Sequence, residues 1–275
     1  MALATALRPV DHAKIALTEN NLGNILNETL GPSDAWEAKG HILKALEHQR
    51  LHYRSVLKEG TGAKRSGLPY RIGQHWGETK EGGGLSLTAN LQDATSNMLS
   101  TLICATDTLG GLFSNEEAEK MLLEANDLAR RHGNASRGRG GITALSNLYS
   151  DGRIMLIRQT GLTPWKEPAK RGWRLQQARL LRMELDEIAA ITGRTVEHEC
   201  VICLEDLEGG GDAEGGDGGG GGGGVGELEP VFVFPTCFHR LHVACAMEQH
   251  KAQIKDVYAP HLSVQDKQLK CPTCN

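Results

Sequence analysis

Apolar residues recur at three- and four-residue intervals over much of the first 190 positions, which is the spacing of one face of an α-helix. The first such segment is predicted as an amphipathic helix from 35 to 58. Asp34 and Glu37 fit a capping box at its start, and Gly60 is expected to end it. This part of the chain is therefore predicted to be mainly helical.

A second helix is predicted after Ser114, which is spaced from Glu117 as in a capping box. It is expected to end where the glycine- and arginine-rich stretch 133–141 begins. That stretch is interpreted as a flexible, solvated joint because glycine disfavours regular structure. Beyond it, 142–148 is predicted as a helix and 153–157 as a short strand.

A third amphipathic helix is predicted from 172 to 191, after a break marked by Pro164 and Pro168. Its apolar stripe consists of Ala178, Leu181, Leu185 and Ile188, widened by Trp173, Leu180 and Met183. The favoured interpretation is a helix packed on its own domain. The alternative is a dimerisation helix beside the cysteine-rich segment that follows.

The stretch from Glu205 to Glu229 combines eight acidic residues with no lysine or arginine, and thirteen of the eighteen residues 209–226 are glycine. Glycine-rich, like-charged chain behaves as a flexible linker, and this stretch has few apolar side chains with which to build a core. Residues 208–228 are therefore predicted to be a disordered acidic insert.

The 275-residue chain has a formal net charge of −4, so neither nucleic acid nor an anionic membrane is an expected partner. No window approaches the roughly 18 apolar residues that a membrane-spanning helix needs. The first residues also lack a basic stretch followed by a long apolar core. We therefore expect a soluble, intracellular protein of the cytoplasm, the nucleus or both.

Six of the seven cysteines follow position 199 and are interleaved with histidines at ligand spacing. That arrangement indicates metal binding in a reducing compartment and not a disulfide framework. The seventh, Cys104, lies in an apolar run with no neighbouring histidine. It is predicted to be a small buried hydrophobic residue and not a nucleophile.

The candidate metal ligands follow one another as Cys-x2-Cys, Cys-x-His, His-x2-Cys and Cys-x2-Cys. They are Cys200, Cys203, Cys237, His239, His242, Cys245, Cys271 and Cys274. Eight thiolate and imidazole donors complete two tetrahedral zinc shells, which leave no position for a reacting water. Two structural zinc ions are therefore expected, and no catalytic residue is assigned. Spacing alone leaves the pairing of the ligands open.

From Glu199 to Asn275, this pattern resembles the RING family and specifically its RING-H2 branch. All eight ligands occur in the family's order, and the apolar strand Val231–Phe234 and Leu241 before the second histidine are also typical. The resemblance implies a small α+β fold with two cross-braced zinc ions. One ion would be held by Cys200, Cys203, His242 and Cys245, and the other by Cys237, His239, Cys271 and Cys274.

The resemblance also implies a RING-type E3 ubiquitin ligase. Such a ligase has no nucleophile of its own and orients the thioester of a ubiquitin-conjugating enzyme for attack by a substrate lysine. In the family, an apolar surface on the metal loops receives the conjugating enzyme. Here that surface would comprise Ile202 and Pro272, extended by Leu204, although plain packing around zinc is the simpler role. The implied partners are a conjugating enzyme, ubiquitin and an unidentified protein substrate.

Two positions depart from the family pattern. Gln249 stands where many members have tryptophan, and Asn275 stands where they have an arginine that bridges the conjugating enzyme and ubiquitin. Transfer is therefore expected to be weak or partner-dependent, and a RING-shaped scaffold without transfer activity is the alternative. A histone-reading PHD finger is disfavoured. The PHD pattern has cysteine at the position of His239 and an aromatic residue at the position of Leu269.

These features divide the chain into three parts. Residues 1–171 are a mainly helical region of no recognised family that is expected to bind a substrate or adaptor. Residues 172–198 are a connecting amphipathic helix, and residues 199–275 are the RING-H2 zinc finger. The predicted fold class is a mainly α N-terminal region plus a small zinc-stabilised α+β RING module.

Overall fold

A computed structural model describes residues 11–29, 35–62, 89–107, 112–133, 135–150, 165–191, 193, 197–207, 228–255 and 269–274. These residues form seven α-helices, one short 3-10 helix and one two-stranded antiparallel sheet. In chain order they are α1 (His12–Thr29), α2 (Ala35–Gly62), α3 (Ala89–Asp107), α4 (Asn115–Arg131), α5 (Ala135–Tyr149), the 3-10 helix (Pro168–Lys170), α6 (Arg171–Ile191), β1 (Val231–Val233), β2 (Arg240–His242) and α7 (Val243–Lys255). The prediction of a mainly helical protein is confirmed.

The described residues fall into two compact units, of which the first ends at Leu102 and the second begins at Ile103. The second unit holds α4, α5 and α6 together with the sheet and α7. Whether residues 1–171, 172–198 and 199–275 act as three functional parts, as the sequence suggests, stays a prediction. No helix in the described ranges is long and apolar enough to cross a membrane.

In the first unit, α1 packs along α2 through small and apolar side chains. A Cβ on Gly23 would lie 2.7 Å from Cδ1 of Ile42, so glycine at this position lets the two helices approach closely. Polar contacts flank this apolar seam: His41 Nδ1 lies 2.5 Å from Glu19 Oε2, and the Nδ1 atoms of His12 and His48 are 2.9 Å apart. Helix α2 extends two residues past the predicted stop at Gly60, and the predicted cap Asp34 lies outside the described residues.

Helix α4 begins as predicted. The Ser114 hydroxyl accepts a hydrogen bond from the backbone N–H of Glu117, and the Glu117 carboxylate accepts one from the backbone N–H of Ser114 at 2.8 Å. Acidic residues in the first turn and basic residues in the last turn complement the helix dipole. Gly133 follows the helix with φ of +62°, a conformation that glycine adopts without strain.

The predicted flexible joint at 133–141 is wrong, because α5 begins at Ala135 and includes both Gly140 and Gly141. The physical reason is the close approach of α4 and α5. A Cβ on Gly141 would collide with Oδ1 of Asn126, so a side chain there would displace the buried Asn126 side chain of α4. Glycine in this helix serves packing, which its low helix propensity alone does not reveal. Residues 153–157, predicted as a strand, lie outside the described residues.

Helix α6 covers nearly the predicted range. Of the predicted stripe, it buries Ala178, Leu185 and Ile188, and Leu181 is partly buried. Trp173, Leu180 and Met183 are not part of the buried stripe, since each is about half exposed, although Trp173 meets the ring of Tyr149 edge to face at 5.9 Å. Cys104 is also exposed, so the prediction that it is buried is wrong. Its position on α3 turns it away from neighbours that are buried, such as Ala105.

Candidate metal centre

The first cysteine pair lies in a tight hairpin-like loop. Cys200 donates its backbone N–H to the carbonyl of Glu205, and the N–H of Leu204 bonds back to the carbonyl of Cys200, both at 2.8 Å. Leu204 has φ of +63°, the left-handed region that costs a residue with a side chain roughly 1–2 kcal/mol. This backbone turn brings the thiols of Cys200 and Cys203 to the same side.

A second loop connects β1 to β2 and carries Cys237 and His239. It is closed by backbone hydrogen bonds from Phe234 to the carbonyl of His239 and from Phe238 to the carbonyl of Phe234, both at 2.9 Å. Phe238, between the two candidate ligands, also adopts a left-handed φ of +65°. The next candidate ligand, His242, is the last residue of β2, where it pairs with Val231.

The structure brings the eight candidate ligands together in two groups of four. Within each group, one ligand atom from every member lies within 4.8 Å of the others. The groups are Cys200, Cys203, His242 and Cys245, and Cys237, His239, Cys271 and Cys274. Each contains three thiols and one imidazole, and the two groups draw on alternating pairs along the chain. These are the two sets that the sequence resemblance implies, and both are able to hold a metal ion.

The donor chemistry of both groups suits zinc. His242 turns Nδ1 toward Sγ of Cys203 at 3.3 Å, and His239 turns Nδ1 toward the sulfurs of Cys271 and Cys274 at 3.2 Å each. A tetrahedral zinc ion with ordinary bond lengths separates a sulfur from a nitrogen donor by about 3.6 Å. An adjustment of a few tenths of an ångström would therefore admit the ion. Three sulfurs and one imidazole nitrogen are also a donor set that zinc prefers.

The thiols within each group differ in acidity. At Cys245, burial and the neighbouring thiols of Cys203 and Cys200 raise the pKa to about 12. At Cys200, burial opposes ionisation, but backbone N–H donors outweigh it and lower the pKa to about 7. The other group also contains a weakly acidic thiol, since burial and the nearby thiols raise the pKa of Cys237 to about 11. Three adjacent thiolates repel one another, so a bound cation is required for all of them to be ionised.

A small apolar core lies beside the two groups, in the segment that spans 197–274 and is called the C-terminal module below. Phe232 and Leu241 are fully buried in its centre, and Phe232 meets Phe234 edge to face with ring centroids 5.1 Å apart. The buried residues of this cluster are Cys200, Leu207, Val231, Phe232, Phe234, Leu241, Val243, Ala246, Leu269 and Cys271. A core of this size is marginal without further support such as metal binding.

Helix α5 covers the edge of the sheet formed by β1, through the side chain of Asn147. Its side-chain Nδ2 donates to the carbonyl of Val233, and its Oδ1 accepts from the N–H of Val233, both at 2.8 Å. Both residues are fully buried. The amide therefore takes the place of a neighbouring strand and satisfies two backbone groups that would otherwise be buried without partners.

Helix α6 contacts the other strand, β2, through an ion pair. Arg240 of β2 is only 4% exposed and pairs with the carboxylate of Asp186. The guanidinium also donates to the carbonyl of Arg182 at 3.4 Å. Nearby, Phe238 packs against the buried cluster of Ile142, Leu185, Ile188 and Val233. The helical part of the second unit thus holds the C-terminal module through polar and apolar contacts.

Sequence patterns did not single out Asn147, Arg240 or Asp186. One available signal was the polar Asn147 within the apolar segment 142–148, because a buried amide needs hydrogen-bond partners. The pairing of Arg240 with Asp186 has no local signal, since the two residues are 54 positions apart.

The three residues predicted to receive a partner lie at the surface. Ile202 is 43% exposed, Leu204 is 73% exposed and Pro272 is exposed. Gln249, which replaces a common tryptophan, donates from Nε2 to the carbonyl of Lys270 at 3.2 Å. Asn275 lies outside the described residues. Whether these residues bind a partner stays a prediction.

No family model, curated protein or solved structure matches this chain. Its structure is mostly helical with a small two-stranded sheet, and it carries two cysteine and histidine groups able to hold metal ions.

Proposed function

We propose that the C-terminal module binds two zinc ions in a RING-type cross-brace, and that the protein acts as an E3 ubiquitin ligase. The observation that carries the proposal is the pair of three-thiol, one-imidazole groups, built from alternating ligand pairs. Each group fills a zinc shell completely, so the ions would be structural. Such sites fix the shape of a docking surface and contribute no nucleophile.

The exposed apolar residues of the metal loops support a docking role. Among the described residues of the module, Leu204 is the most exposed large apolar side chain, and it is held in a left-handed conformation. Glycine would relieve that strain, and a polar side chain would cost less in water. A leucine at this position is consistent with selection for contact with a partner. Ile202, two residues earlier, adds a second apolar side chain to the same loop.

The proposal is tested in two steps. Elemental analysis of the purified full chain is expected to give two zinc ions per chain, and discharge of ubiquitin from a panel of charged conjugating enzymes to free lysine is expected to accelerate when the chain is added. Leu204→Ala should reduce this acceleration at least tenfold with both ions retained. Leu180→Ala is the matched control, because Leu180 is a half-exposed leucine on α6, outside the module.

Fewer than two zinc ions per folded chain would refute the metal assignment. Two ions with no acceleration for any conjugating enzyme would instead favour a RING-shaped scaffold without transfer activity. The glutamine at position 249 and the asparagine at position 275 are the features that favour this second function. Residues 1–171 would recruit the substrate or adaptor, so deletion of the first unit up to Leu102, which leaves α5 in place to support the module, should reduce its co-purification.

A further inference from the structure

The two histidines of the metal groups have different surroundings on the ring nitrogen that faces away from the thiols. In both, Nδ1 faces the sulfurs, so a metal bound there leaves the proton on Nε2. An acceptor near Nε2 then fixes the tautomer and the ring orientation. The identity of that acceptor decides how far each site depends on a single side chain.

For His242 the acceptor is part of the backbone. Its Nε2 lies 3.2 Å from the carbonyl oxygen of Asp206 and 3.3 Å from Oε2 of Glu229. Asp206 is held in a backbone bridge with Glu199, so its carbonyl keeps its position whatever the side chains are. The Glu229 side chain is 63% exposed and duplicates a contact that the backbone already provides.

For His239 the facing group is a carboxylate. Its Nε2 lies 3.6 Å from Oε1 of Glu197, which is ion-pair range and slightly longer than a hydrogen bond. The Glu197 side chain is 36% exposed, but its other oxygen, Oε2, is buried and has no hydrogen-bond partner among the described residues. A buried carboxylate oxygen without a partner is costly unless the charge is used nearby.

We propose that Glu197 is a positioning residue for the second metal group, and that it holds the His239 ring with Nδ1 toward Cys271 and Cys274. Metal binding at Nδ1 makes the Nε2–H a stronger donor, which draws it toward the carboxylate. The first group has no equivalent side-chain requirement, because the Asp206 carbonyl orients His242. The two sites therefore have the same donor set but differ in their dependence on a glutamate.

The inference rests on the proposed zinc sites, and cadmium NMR separates the two claims. The full chain loaded with cadmium-113 is expected to give two metal signals, each assigned by coupling to the Hβ protons of its own cysteines. Glu197→Ala should lower the affinity of the Cys271 and Cys274 site about 10–100-fold in chelator competition. Glu229→Ala, the matched control, should leave both affinities within about threefold of wild type, since the Asp206 carbonyl remains.

A readout of the ring itself distinguishes positioning from general stability. Long-range proton–nitrogen correlation of His239 should show a protonated Nε2 in the wild type, and the Nε2–H signal should shift or broaden in Glu197→Ala. Glu197→Gln, which keeps an acceptor oxygen, should recover most of the affinity.

Three results would overturn the inference: equal loss of affinity in the two alanine variants, unchanged affinity in Glu197→Ala, or no recovery in Glu197→Gln. The first two can occur with ubiquitin discharge intact, so they refute the inference while the proposed function stands. A wild-type chain that binds fewer than two ions would refute both.

Discussion

Asn147 provides the most direct test of whether the helices support the C-terminal module. Asn147→Ala removes both hydrogen bonds that the α5 side chain makes to the backbone of Val233. Because Val233 is fully buried, its N–H and carbonyl have no water to bind in exchange. The variant changes no candidate metal ligand and no exposed residue.

The expected loss of stability follows from the two groups left without partners. A buried backbone donor or acceptor without a partner costs about 1–3 kcal/mol, so two of them cost roughly 2–6 kcal/mol. Alanine recovers up to about 0.7 kcal/mol of helix propensity relative to asparagine. Water entering the space left by the amide would reduce the cost further. We therefore expect a net loss of about 2–4 kcal/mol in the free energy of unfolding.

The assay is urea unfolding of the zinc-loaded full chain, followed by circular dichroism and by release of zinc to a coloured chelator. Asn126→Ala is the matched control, since Asn126 is also a buried asparagine in a helix, but its Oδ1 has no hydrogen-bond partner in the part of the chain that the structure describes. It should cost less than about 1 kcal/mol. The reasoning is refuted if Asn147→Ala is within 0.5 kcal/mol of wild type, or if the two variants are equally destabilised.

Three other substitutions test separate features. Asp186→Ala leaves the buried arginine of β2 without its carboxylate and should destabilise by about 3 kcal/mol, whereas Asp127→Ala, which removes an exposed pair, should cost less than about 0.5 kcal/mol in the same urea assay. Gly141→Ala should destabilise by about 1–3 kcal/mol because the new methyl group would displace the buried side chain of Asn126, while Gly140→Ala should be neutral or stabilise by up to about 1 kcal/mol in thermal unfolding. Leu204→Gly relieves the left-handed backbone and should retain both zinc ions with equal or greater stability, yet lose ubiquitin discharge; retained discharge would count against docking there.

Helix positions were predictable where a local signal and an apolar face agreed. The capping box at Ser114 and Glu117 is set by residues three positions apart, so it can be found without knowledge of the fold. The buried stripe of α6 has the same local character, since Ala178, Leu185 and Ile188 follow helical spacing. Which other apolar residues of the helix remain exposed depends on the neighbouring elements, and the sequence does not contain that information locally.

The glycines at the start of α5 show how tertiary packing overrides a local preference. Glycine and arginine at 135–141 indicate flexible chain when only propensity is considered. In the folded protein, Gly141 lies against Asn126, and the helix forms despite the low helix propensity of its glycines. Arg139 is also engaged there, with its guanidinium 5.6 Å from the centre of the Phe238 ring.

The grouping of the candidate ligands could be predicted from the sequence because each short pair is confined by its own turn. Two residues between Cys200 and Cys203 leave little freedom in where their thiols point, and the resemblance supplied the order in which pairs combine. The contacts by which α5 and α6 support the strands could not be predicted in this way. Asn147 and Val233 are 86 positions apart, so neither residue reveals the other.

Two kinds of support therefore act on one small module, and they act on different parts of it. Metal ions would hold the loops together. The candidate ligands lie in the loop of the first cysteine pair, in the loop between β1 and β2, at the end of β2, at the start of α7 and near the carboxyl end. The helices act on the strands, where Asn147 satisfies the edge of β1 and Asp186 neutralises Arg240 of β2. Because the apolar core between loops and strands is small, neither support replaces the other. A chain that began after α6 would thus retain every candidate ligand and still leave the buried backbone of Val233 and the charge of Arg240 without the partners that α5 and α6 provide.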